Sequence, residues 1–214
     1  MARVTFHFPE ALADSDDGRA LDLLRRYYGP RFGEPGFYTG SLFDAWDSTG
    51  TRAQDVDRFT ADDLVAVGLL SVDVDPRAAI QLLQIRAGEF SALLAAVGPD
   101  RDLADENDVH DEGWVGWRLQ QELQDLPGTG PTTASKLFAR KRPRLRPIWD
   151  TVVADVTGGR ERLWAPLQSA LSAEDGALHR RLLDLRTAAG LPPQVSVLRV
   201  FDVIAWMEGK ARGL

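Results

Sequence analysis

The sequence predicts an all-α protein. Apolar residues recur at roughly 3.6-residue spacing along most of the 214 residues. Capping and breaking residues punctuate those runs at helix-length intervals. Only Val4, Phe6 and Phe8 alternate as a strand would, and a single strand has nothing to pair with.

The helices follow in order. Leu21, Leu23, Leu24, Tyr27 and Tyr28 come after the acidic start Asp14–Asp17, which suits a helix N-terminus. Thr60 with Asp63 is a capping signal ahead of Leu64, Val65, Val67, Leu69 and Leu70. Asp75-Pro76 opens a helix through Ile80 and Leu83. Phe90, Leu93, Leu94 and Val97 mark the next, closed by Gly98-Pro99. Trp114 to Leu123 is helical and leads into a glycine turn. Beyond it come Val152 to Val156, Leu163 to Leu171, Leu178 to Ala189 and Val197 to Met207, the last two separated by Pro192-Pro193. The linkers expected are Gly29–Gly36, Asp47–Gln54 and Pro99–Glu112.

Composition narrows the functional classes. A hydrophobic content of 44% is enough for a real core. No run of about 18 apolar residues occurs, so no membrane span or membrane partner is expected. The N-terminus lacks a basic stretch followed by an apolar core, which makes the cytoplasm the expected location. The absence of cysteine removes disulfides, thiolate nucleophiles, iron–sulfur clusters and cysteine zinc sites. No cofactor is expected. Only Lys136, Lys141 and Lys210 are lysines, which limits the candidates for imine chemistry.

The most informative stretch is Leu126 to Asp150. Gly128 and Gly130 suit a tight turn, and Pro131 suits the first position of a new helix. The N-terminus of that helix offers free backbone N–H groups to a phosphate. Lys136, Arg140, Lys141, Arg142, Arg144 and Arg146 follow, against the one carboxylate of Asp150. The stretch is therefore +5 in a chain of −7, leaving −12 elsewhere. Two explanations stand. A polyanion could meet this basic island. Alternatively the arginines pair internally with residues 1–112, which hold 22 acids against 10 bases.

This stretch resembles the helix-hairpin-helix of the DNA glycosylase superfamily. The residues carrying the resemblance are Leu126-Pro127-Gly128-Thr129-Gly130, then Thr133-Ala134 on the following helix, then Asp150 ahead of Thr151. The hairpin-to-Asp spacing is similar to that of endonuclease III-like members. The resemblance implies a two-lobed helical fold with a central helix-hairpin-helix. Residues 1–112 would form an acidic helical part. Residues 113–157 would hold the hairpin and the candidate carboxylate. Residues 158–214 would pack with the N-terminal part as one unit. It also implies backbone contacts to duplex DNA and a role in DNA repair. Gly128, Gly130, Thr132, Thr133, Lys136, Arg140, Lys141 and Arg142 are the candidate DNA-binding residues. Asp150 is the candidate catalytic residue, answering the positive charge that develops on the sugar as a flipped base departs. Bifunctional members carry their imine-forming lysine at the position of Thr132, whose hydroxyl cannot form an imine. The implied enzyme is a monofunctional glycosylase outside the iron–sulfur subgroup. The chain also resembles a group of uncharacterised bacterial proteins through Arg58 to Leu64, RFTADDL, and Ala139 to Leu145, ARKRPRL.

Other features weigh less. Asp150 also suits a plain helix N-cap, and the two roles are compatible. A flipped base needs aromatic walls, for which Tyr38 and Trp149 are the candidates. The acidic run Asp102 to Glu112 lacks the alternation and central glycine of a calcium loop and reads as a solvated loop; no metal is expected. No Gly-x-Ser-x-Gly elbow or Gly-Lys-Ser/Thr loop occurs. A non-catalytic DNA-binding protein, and a helical protein that binds a protein or small molecule instead of DNA, are the rival readings.

Overall fold

The computed structural model describes residues 6–13, 15–107, 113–159 and 164–214. Val4, Asp14, Leu163 and the part of the acidic run at 108–112 lie outside the described residues. Among those described there are helices and no strand, so the all-α expectation holds and Phe6 and Phe8 form no strand.

Eleven α-helices are described: α1 Glu10–Ala13, α2 Gly18–Tyr28, α3 Ala61–Gly68, α4 Pro76–Ile80, α5 Ala87–Val97, α6 Val115–Gln124, α7 Pro131–Lys141, α8 Thr151–Thr157, α9 Trp164–Ser172, α10 Ala177–Ala188 and α11 Val197–Ala211. The signals at their ends are physical. Thr60 and Asp63 form a reciprocal capping box on α3. Asp75 Oδ1 accepts the Arg77 N–H ahead of α4, whose first residue is proline. Gly98 ends α5 with φ of +85°, a conformation that other residues rarely adopt. The helix expected through Leu83 departs from α geometry: α4 passes into a π-helical turn over Gln81–Ile85.

The last helix, α11, is the central post. It packs against α1, α2, α8 and α10, and most of its residues are buried. Its Glu208 is buried and accepts the backbone N–H groups of Glu10 and Ala11 at 2.9 and 3.0 Å, capping α1 from across the molecule. Gly209 lets α8 approach closely: a Cβ there would lie 2.4 Å from Val152 Cγ1.

The second organising element is α7, and here the basic island resolves. Arg140, Lys141 and Arg142 are 2%, 6% and 1% exposed, which removes them from any polyanion surface. Arg140 donates from Nε to Asp63 Oδ1 at 3.1 Å and from its terminal nitrogens to the Phe43 and Trp46 carbonyls. Lys141 Nζ lies 2.5 Å from Asp63 Oδ2 and donates to the Asp55 carbonyl. Arg142 donates to the Leu94 and Gly98 carbonyls at the end of α5, to the Val56 carbonyl and to Asp57. Its charge meets the negative end of α5, where a cation is favoured. Arg144 pairs with Asp102, and its backbone N–H donates to Asp100. The intramolecular explanation therefore accounts for Arg140, Lys141, Arg142 and Arg144.

Arg146 differs. It is buried, its Nε has no hydrogen-bond partner among the described residues, and its guanidinium lies 3.7 Å from the centre of the Trp164 ring. Burial pulls its pKa down to about 9.

These two environments predict opposite effects of the same substitution. Arg140→Met strips a partner from buried Asp63 and should cost about 3–5 kcal/mol in urea unfolding. Arg146→Met removes a cation with no anionic partner among the described residues and should leave stability unchanged or raise it by about 1–4 kcal/mol. Equal losses in both would show that Arg146 has a counter-charge after all.

Candidate functional site

The turn between α6 and α7 aims the start of α7 outward. Gly128 sits at φ of +68°, and a Cβ there would meet Asp75 Cβ at 3.0 Å, so glycine is required. Gly130 is extended, with open space where a Cβ would stand, so the turn itself does not demand it. Gly128, Gly130 and Pro131 are exposed at the tip, Thr132 is half-buried, and Thr133 is buried.

One turn into α7, Ser135 positions the next functional segment. Its Oγ accepts the Trp149 N–H at 3.0 Å and lies 3.2 Å from the Trp149 carbonyl. This clamp fixes the residue ahead of Asp150. Asp150 then caps α8, its Oδ1 accepting the Val152 N–H at 3.0 Å. Its Oδ2 faces Lys136 Nζ at 3.3 Å.

Asp150 opens onto a cavity of about 400 Å³. One wall comes from Thr132 and Lys136 of α7 with Asp150 to Val152, another from Arg199, Asp202, Val203, Trp206 and Lys210 of α11. Tyr38 to Gly40 and Leu69 to Val72 complete it. Lys136 is buried and also donates to the Leu70 carbonyl at 2.9 Å, and burial lowers its pKa. Ser71 of the same loop has φ of +61°, an uncommon conformation for a residue with a Cβ.

Aromatic rings supply one face. Tyr38 stacks on Tyr27 with centroids 5.4 Å apart and planes 10° apart, and Trp206 stands edge-on to Tyr38 at 5.5 Å. Tyr38 lines the cavity. Trp149 does not; it packs instead beside Val153, Val156 and Ala205. The ring that sequence reasoning missed is Trp206. The signal was present on α11, where Arg199, Asp202 and Trp206 fall at i, i+3 and i+7 of a mostly apolar helix and so share one face.

Behind the rings lies a buried polar network. Arg199 donates to Asp44, Asp202, the Tyr27 hydroxyl and the Gly40 carbonyl. Tyr28 donates its hydroxyl to Asp44 at 3.1 Å. Burial pushes the Tyr27 hydroxyl up to about 12 and the Asp202 carboxyl up to about 6. Gly40 is required here, since a Cβ would stand 2.2 Å from the Tyr27 hydroxyl.

A family comparison matches residues 20–209, which takes in α7, α11 up to Gly209 and the cavity lining apart from Lys210. The chain belongs to the DUF6308 family, a family of unknown function. No curated protein and no solved structure matches it. The DUF6308 match spans Asp63, the basic residues of α7 that surround it, Asp150, and Arg199, Asp202 and Trp206 of α11; of the cavity lining only Lys210 lies beyond it.

The raised Asp202 carboxyl predicts a pH effect of definite sign. Its folded value of about 6 exceeds the ordinary 3.8, so folding favours its protonated form. That contribution is full below pH ~4 and is lost as pH rises through about 6. Asp202→Asn lacks this loss. Relative to wild type, the variant should gain stability between pH 4 and 7, by at most about 1.4 kcal/mol per pH unit in chemical unfolding. Parallel pH profiles would show that Asp202 does not titrate there.

Proposed function

We propose that this protein binds DNA at the exposed hairpin and releases a flipped base by monofunctional N-glycosidic cleavage. The observation that carries the reading is the position of Asp150, a fixed carboxylate on a cavity with room for a nucleobase, immediately behind the hairpin. In the reaction the bond between the sugar and the base nitrogen breaks, and the base leaves with the electron pair. Asp150 then faces the positive charge left on the sugar. Water supplies the oxygen that completes the abasic sugar. Tyr38 and Trp206 offer the base its apolar face. Lys136 holds the carboxylate in place, and its Nζ is engaged by Asp150 and the Leu70 carbonyl rather than free to attack the sugar.

Internal pairing of Arg140, Lys141 and Arg142 leaves backbone N–H groups at the start of α7 and exposed cations such as Lys210 to meet phosphates. Few released counterions mean a shallow salt dependence of DNA binding. The same burial favours a second reading, in which the substrate is a free N-glycoside and no duplex is bound.

Duplexes carrying a panel of modified bases should yield at least one free base and an alkali-labile abasic site. Borohydride should trap no covalent protein–DNA adduct. Asp150→Asn should abolish release by at least about 100-fold while retaining the cap and DNA binding. Release from nucleosides but not from duplexes would select the second reading. No release from either, or release undiminished in Asp150→Asn, would reject the chemistry.

A further inference from the structure

Asp202 is a carboxylate only partly used by the protein. It lies on α11, 5% exposed, on the cavity wall between Arg199 and Trp206. Its hydrogen bond comes from Arg199, to Oδ2. Oδ1 has no hydrogen bond among the described residues, and Asp202 lines the cavity with 7% of its side chain exposed. Arg199 is meanwhile held by four hydrogen bonds, so turning it to cover the second oxygen would break them. Lys136 is held by Asp150 and the Leu70 carbonyl. A buried carboxylate with a vacant acceptor is costly, and the cost is recovered when a donor arrives. Trp206, one turn further along α11, lines the same cavity and offers a ring to pack on.

We propose that Asp202 selects the substrate: the cavity takes nucleobases with an exocyclic amino group, whose N–H is accepted by Asp202 Oδ1. The inference rests on the cavity being the base pocket proposed above. Adenine, cytosine and guanine each project an amino group with no carbonyl on the carbon that bears it. Uracil and thymine offer only a ring N–H flanked by two carbonyl oxygens, which an anionic oxygen repels. Asp202 is a specificity residue here, separate from the chemistry at Asp150.

The test is ligand-observed NMR on the full-length chain carrying Asp150→Asn, which prevents turnover. The probes are the 2′-deoxynucleosides of adenine, cytosine, guanine, uracil and thymine, and purine 2′-deoxyriboside, which is deoxyadenosine without its amino group. The three amino nucleosides should bind about tenfold more tightly than the other three, the worth of one hydrogen bond to a charged acceptor. Adding Asp202→Asn should reduce that preference to about twofold or less. The comparison of deoxyadenosine with purine deoxyriboside needs no change at Asp202, so it stands even if the second substitution impairs folding. Equal binding of all six, or a preference that survives Asp202→Asn, overturns the selection by Asp202 and leaves the pocket reading intact. No binding of any nucleoside overturns both. Base release from DNA by the wild type with no preference for amino bases retains the enzyme and rejects this inference.

Discussion

The structure depends on the burial of Asp63 between Arg140 and Lys141. This carboxylate does two jobs at once. It closes the capping box of α3 through the Thr60 N–H, and it pairs with two cations at the C-terminal end of α7. Burying such charges is tolerable only when each finds partners, because the penalty for removing an ion from water is several kcal/mol. The partners here are mostly backbone carbonyls of the loops at 43–57 and the end of α5. Those loops have little regular structure of their own. Their carbonyls are satisfied because α7 supplies the donors, so helix and loops specify one another.

That constraint also sets the site. With its C-terminal turns locked by ion pairs, α7 presents its first two turns to the cavity through Thr132 and Lys136. Ser135 then holds the chain at Trp149, and Asp150 follows at the mouth of α8. On the other side α11 carries a polar face along a buried helix, with Arg199 tied into Asp44 and Tyr27. The cavity is thus bounded by two rigid helices, which hold functional groups more accurately than loops do.

Two of the buried arginines, Arg199 and Arg146, make an instructive pair. Arg199 has every arm occupied, and its surroundings contain two carboxylates. Arg146 rests among Trp117, Phe138 and Trp164 and has no anion beside it among the described residues. The first organises a network that reaches the cavity. The second is held by ring faces, which attract a cation but replace only part of its lost hydration.

Local signals in the sequence determined the helical class, most helix boundaries and the hairpin. Caps, breakers and apolar spacing act over a few residues, and the Thr60–Asp63 box, Pro76, Gly98 and Gly128 appear in the structure where the local chemistry requires them. Asp150 at the start of a helix was legible for the same reason, and the surplus of negative charge in the N-terminal half was legible from composition. Tertiary structure alone decided which way the basic residues point. A run of arginines has the same sequence whether it faces water or the interior, and the choice depends on carbonyls and carboxylates 40 to almost 100 residues away. It likewise decided that Trp206 and Asp202, rather than Trp149, meet Asp150, because α11 reaches the cavity only once it has packed between α2 and α8.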